Sequence, residues 1–192
     1  MRDITNFLLS KLRLNSDAGR TRDESATDNT GAVIGIDIGH HQIHEGNHFY
    51  HKGFKSLGSG ASYSILLKAP LLKLVHLNFY VSNPSEMTFS LLENVTVSAD
   101  GTSLNIFNNK RGSQGSPANL LTMFHTPTTT GGSEIFPASV GAGAPLRSGG
   151  DVRNESEIIL KQEFNYKMTL TNSGSSTAIL NYYFCWYEVQ SG

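Results

Sequence analysis

The chain has 192 residues, 38% of them hydrophobic and 16% charged, which is enough for one domain with a real core and too little for two full ones. Its 15 basic residues nearly balance 16 acidic ones, so it lacks the electrostatic footprint of a nucleic-acid-binding or anionic-membrane-binding protein. A low charged fraction and 19 glycines lean toward an all-β domain with a surface rich in Ser, Thr and Asn.

Residues 1–14 place Ile4, Leu8 and Leu12 one helical turn apart, with Phe7 and Lys11 beside them. Such a short amphipathic helix is marginal alone in water, so it needs a surface to pack on. Asn15 to Thr30 contains no large apolar residue and reads as a tether. The expected organisation is therefore an arm and polar linker over 1–30, followed by a folded domain over 31–192. Ile4, Phe7, Leu8 and Leu12 are the arm's candidate contacts with another subunit. The start of the chain lacks the pattern of a secretory signal, and no stretch reaches the roughly 18 apolar residues of a membrane span. Synthesis and assembly in a cytoplasm, with no membrane partner, are expected.

From Val33 the apolar period becomes two, which predicts a strand over 33–38. Glu45-Gly46-Asn47 is a turn signal, so 40–44 and 48–54 are expected to pair as a hairpin. Further strands are predicted at 63–67, 74–81, 87–97, 104–107 and 120–125, with a turn at Ala99-Asp100-Gly101-Thr102. Residues 126–154 are rich in Thr, Gly, Ala and Pro and read as one long loop. Strands at 157–160, 166–170 and 179–189 close the chain. The last should be a central core strand, with Tyr182, Phe184 and Trp186 on one face and Tyr183, Cys185 and Tyr187 on the other. Cys185, the single cysteine, excludes an intramolecular disulfide and is expected to be a buried, inert thiol. About ten short strands with no βαβ rhythm predict an antiparallel β-sandwich of jelly-roll type.

Five of the seven histidines lie between Val33 and Phe54. His44-Glu45-Gly46-Asn47-His48 has the letters of the zinc-protease pattern, which needs both histidines on one helical face and a third ligand. Flanking glycines and the turn pair Gly46-Asn47 oppose a helix there, and no carboxylate follows until Glu86, so a zinc hydrolase is a remote reading. His44, His48 and His51 are the candidate ligands for a softer metal site. The preferred reading is that His40, His44 and His48 hydrogen-bond locally or line a subunit contact, where their titration would make assembly pH-sensitive. Gly35-Ile36-Asp37-Ile38-Gly39 resembles an ATPase phosphate loop in a chain too short for that fold. Gly141-Ala142-Gly143-Ala144-Pro145 lacks the Gly-Lys-Ser/Thr ending of a P-loop, and no Gly-x-Ser-x-Gly elbow occurs. No catalytic residue and no cofactor are expected.

His40-His41-Gln42-Ile43-His44-Glu45-Gly46-Asn47-His48-Phe49-Tyr50, then Gly58 to Leu67, resembles a segment of small tailed-bacteriophage structural proteins. Thr169-Leu170-Thr171-Asn172-Ser173 and Tyr182 to Glu188 are similar to the closing strands of the same group, so the resemblance spans roughly 31–189. It implies a virion component, a decoration or cement protein on the capsid surface, and carries over no catalytic residue. The implied partners are the major capsid protein and further copies of the chain, as a trimer. The alternative is a head or tail fibre domain that binds a surface glycan through loop 126–154, where Phe136 is the sole aromatic side chain.

Overall fold

The computed structural model describes residues 38–112, 121–141, 151–153 and 157–190. The arm with Ile4, Phe7, Leu8 and Leu12, and residues 33–37 of the strand expected over 33–38, lie outside these residues, and Ile38 is helical. The first described element is a helix, α1 (Ile38–Glu45). This corrects the expected hairpin, because 40–44 is helical and pairs with no strand. Gly46 (φ 79°) stops the helix in the left-handed region. Its N–H donates to Ile43 O at 3.1 Å and the Asn47 N–H to Gln42 O at 2.9 Å, the two bonds of a Schellman cap. Gly46-Asn47 is thus a chain reversal, but it ends a helix instead of joining two strands.

Fourteen strands follow among the described residues. They are β1 (His48–Leu57), β2 (Ser62–Lys68), β3 (Lys73–Ser82), β4 (Met87–Glu93), β5 (Thr96–Ala99), β6 (Thr102–Ser103) and β7 (Phe107–Asn108). Then come β8 (Thr122–His125), β9 (Thr128–Thr130), β10 (Ser133–Val140), β11 (Asp151–Arg153), β12 (Ile158–Leu160), β13 (Asn165–Asn172) and β14 (Ala178–Gln190). The first sheet has the order β11-β3-β14-β1-β7, with β12 also on β3, and the second β10-β4-β13-β2-β8-β6. β5 and β9 form a separate ribbon, and every pairing is antiparallel. Taken in chain order, β1, β2, β3, β4, β10, β11/β12, β13 and β14 change sheet at every step except β4 to β10, which is jelly-roll connectivity.

Three strand expectations need correction. Residues 126–154 are not one loop, since β9, β10 and β11 lie within them. β10 is an edge strand, where Pro137 needs no N–H for a ladder bond. The run 87–97 is broken at Asn94, which takes φ 59°, and of 104–107 only Phe107 is in a strand.

β14 lies between β1 and β3 as expected. Leu180, Tyr182, Phe184, Trp186 and Glu188 point inward and are buried. From the facing sheet they meet Tyr63, Ile65, Met87, Phe89, Leu91, Tyr166, Met168 and Leu170. Phe79 stacks on Phe89 across the layers at 4.9 Å, and both meet the ring of Phe136 edge-on. Glu188 is buried yet satisfied: Oε1 accepts from Trp186 Nε1 at 3.1 Å and Leu121 N at 3.0 Å, and Lys73 Nζ lies 3.8 Å from Oε2.

Asn172 closes one end of the sandwich. Its amide donates to Leu57 O, Gly58 O and Ser176 O at 2.8–3.2 Å, and its side-chain oxygen accepts from Gly174 N. One buried side chain therefore ties the β1–β2 turn to the β13–β14 turn. Asn172→Ala strands buried carbonyls and should cost about 3 kcal/mol in urea unfolding, with native-like far-UV circular dichroism retained.

Candidate interaction surface

The two outer faces of the sandwich differ in chemistry. On the second sheet, Ser62, Thr171 and Thr88 share one row across β2, β13 and β4, and Ser64, Thr169 and Ser90 share another. Their hydroxyls bond to one another, Ser62 to Thr171 at 2.8 Å and Ser64 to Thr169 at 3.2 Å. This part of the face is adapted to water, while the next row, Leu92-Lys167-Leu66-Phe124, is largely apolar.

On the first sheet, the rows across β1, β14 and β3 are His48-Tyr187-His76, Tyr50-Cys185-Asn78, Lys52-Tyr183-Tyr80 and Phe54-Asn181-Ser82. β7 sets Phe107 beside Tyr50, β12 sets Ile159 beside His76, and β11 sets Arg153 beside Tyr80. Several side chains of this face are open to solvent, namely Phe54 (72%), Ile159 (51%), Tyr80 (40%), Phe107 (38%), Tyr183 (36%) and, in the row beside Ser56, Ile179 (53%). The cations lie against rings: Lys52 Nζ is 5.9 Å from the Tyr50 centroid and the Arg111 guanidinium 5.6 Å from that of Phe107. Burial, with smaller contributions from Cys185 and Tyr50, pushes the Tyr183 hydroxyl up to about 12, so the face gains no anion there near neutral pH.

One end of this face is polar and already organised. The rings of His48 and His76 lie near that of Tyr187, 6.5 and 4.4 Å away. Glu157 accepts from His76 Nδ1 at 2.9 Å and from Tyr187 Oη at 2.7 Å. Asn109 Nδ2 donates to His48 Nδ1 at 2.5 Å, and burial lowers the pKa of His48. Cys185 is half-buried on this outer face, short of the full burial expected of it. Burial raises its thiol pKa, partly offset by a hydrogen bond from Tyr183.

The candidate metal ligands do not converge. His44 is on α1, His48 points outward from β1, and His51, three residues further along the same strand, points inward. An odd separation in a strand places side chains on opposite faces. The zinc-protease letters are likewise split, since the helix ends at Glu45 and His48 opens β1. Among the described residues no three His, Cys, Asp or Glu side chains gather as a metal site. Of the expected interface histidines, His40 and His44 share the surface of α1 and His48 lies on the aromatic sheet. Tyr50, Tyr80, Phe107 and Ile159 were not singled out from the sequence, because only strand order makes them neighbours. With the fold and surface in view, the chain matches no family model and no curated protein.

His51 is 7% exposed and belongs to a run of ring contacts through Tyr182, Tyr63 and His125, with successive centroids 5.6, 5.6 and 6.1 Å apart. Gly53 makes room for it, because a Cβ there would lie 2.6 Å from Tyr182 Oη. His51 Nδ1 donates to Asn105 O at 2.8 Å, and its buried Nε2 has no partner among the described residues. A second proton would sit on that unpartnered nitrogen. Burial lowers the pKa of His51, the Asn105 bond opposes this, and the charge of His125 lowers it further. The folded state thus binds this proton at lower pH than the unfolded chain, whose histidine titrates near 6.5. The stability is present above pH 6.5 and is lost as pH falls through the depressed folded value. Urea unfolding should show the protein less stable at pH 5.0 than at pH 7.5, and His51→Asn should narrow that difference whatever its stability at pH 7.5.

Proposed function

We propose that this chain is a structural subunit of a virus particle, a decoration or cement protein that binds the outer capsid shell and has no catalytic role. The observation that carries the reading is the row of exposed aromatic side chains on the first sheet, set against the hydroxyl rows on the second. Exposed Tyr80, Tyr183, Phe107 and Phe54, with Lys52 and Arg153 in the same rows, make the composition of a contact surface, where aromatic and cationic anchors are enriched. Jelly rolls recur in viral capsid and lectin domains, which agrees with this reading at the level of fold alone. The resemblance to tailed-bacteriophage structural proteins supports the capsid as partner, and assembly as a trimer belongs to the same proposal. A cement needs only modest affinity per site, because many copies of one contact act together on the particle.

The glycan-binding alternative placed its site on a loop at 126–154. With 128–130, 133–140 and 151–153 in strands, that loop does not exist as read.

The test is co-expression with the accompanying major capsid protein and sedimentation of assembled shells. The full chain should pellet with shells. A Tyr80→Glu/Tyr183→Glu variant should keep its melting temperature within a few degrees yet fall to background in the pellet, because both side chains are exposed. Failure of the unaltered chain to sediment, or equal sedimentation of the folded variant, overturns the reading.

A further inference from the structure

We propose that His40 and His44 chelate one late first-row divalent cation of the copper(II) or nickel(II) type. The two residues lie one turn apart on α1, both exposed, with their Nε2 atoms 2.9 Å from one another. Their ring centroids are 4.7 Å apart and the ring planes are inclined at 57°, so the rings converge through their outer nitrogens instead of stacking flat.

The nitrogen separation lets both rings reach one ion. Bonds from imidazole to these metals are about 2.0–2.1 Å long, so two nitrogens 2.9 Å apart subtend about 90° at a shared ion. That is the angle between adjacent positions of a tetragonal centre, the arrangement copper(II) and nickel(II) prefer. A tetrahedral ion would need the nitrogens at about 3.3 Å, a spacing that rotation of two exposed side chains also reaches, so the choice of copper(II) rests on the affinity order. Copper(II) stands highest in the affinity order of first-row divalent ions for nitrogen sites.

The helical turn that carries the pair is fixed from below. The Schellman bonds hold Gly46 and Asn47, Lys110 Nζ donates to His44 O at 2.7 Å, and Asn108 Nδ2 donates to Gly46 O at 2.6 Å. Without metal, one ring donates its Nε2 proton to the lone pair of the other. With metal, the donor ring carries its proton on Nδ1 instead, and both Nε2 lone pairs face the ion. No third protein ligand is required, because the remaining positions are open to water. This site differs from the His44, His48 and His51 set of the sequence reading, whose members point in different directions.

The experiment is calorimetric titration of the full chain, without a histidine tag, with copper(II) chloride at pH 7.5, together with electron paramagnetic resonance of the loaded protein. One saturable ion per chain and a tetragonal spectrum with two nitrogen couplings are expected. His40→Gln and His44→Gln should each weaken binding about tenfold or more, while His41→Gln and His48→Gln stay within about twofold. Because both sites are exposed, the first two variants should melt as the parent does in metal-free buffer. The proposal is overturned if either variant binds copper(II) as the parent does, if the two control variants lose as much affinity, or if binding never saturates.

Discussion

The structure depends on the two-sided alternation of β14. Every second residue from Leu180 to Glu188 enters the core, where Tyr182, Phe184 and Trp186 are buried against the second sheet. Its paired neighbours β1 and β3 run along nearly its full length. A slip of one residue would turn Phe184 and Trp186 to solvent and bring Tyr183 and Cys185 inside, so packing fixes the register of all three strands together. Fixing that register also composes the outer rows. The aromatic surface and the core are two faces of the same alternation, and one cannot be shifted without the other.

Much of this was legible because alternation is a local signal. Most of the predicted strands exist, and the last is central, since a run such as Tyr182 to Tyr187 carries too much apolar area for an edge. The helix was not legible, because Gly39 and Gly46 weigh against one and its alternative, a hairpin turn, uses the same Gly-Asn pair. What decides is the cap: Gly46 in the left-handed region lets two backbone bonds close the last turn. The strands within 126–154 were missed for a different reason. β9 is three threonines and β10 is a half-exposed edge with a proline, so neither needs the large apolar residues that announce a buried strand. The aromatic outer face was legible only in fragments. Tyr50, Tyr80 and Tyr183 are far apart in the chain, and strand order alone sets them side by side.

The histidine-rich segment separates into three environments within twelve residues. His40 and His44 converge on a helix, His48 joins the ring contacts of the outer sheet, and His51 lies in the core with one nitrogen unpartnered among the described residues. Clustering in sequence therefore did not mean clustering in space. The helix-to-strand change at Gly46 and the strand's own alternation disperse side chains that a continuous helix would have gathered.

The edges of the sandwich constrain how copies of the chain could assemble. β10 is interrupted by Pro137 and by a register shift between Glu134 and Phe136, while β6 and β7, which end the two sheets, are two residues long. β11 is only three. None of these offers a long, flat ladder of unpaired N–H and C=O groups, so growth by adding strand to strand is suppressed. Any contact between copies through the described strands would have to use the faces of the sandwich and not its edges.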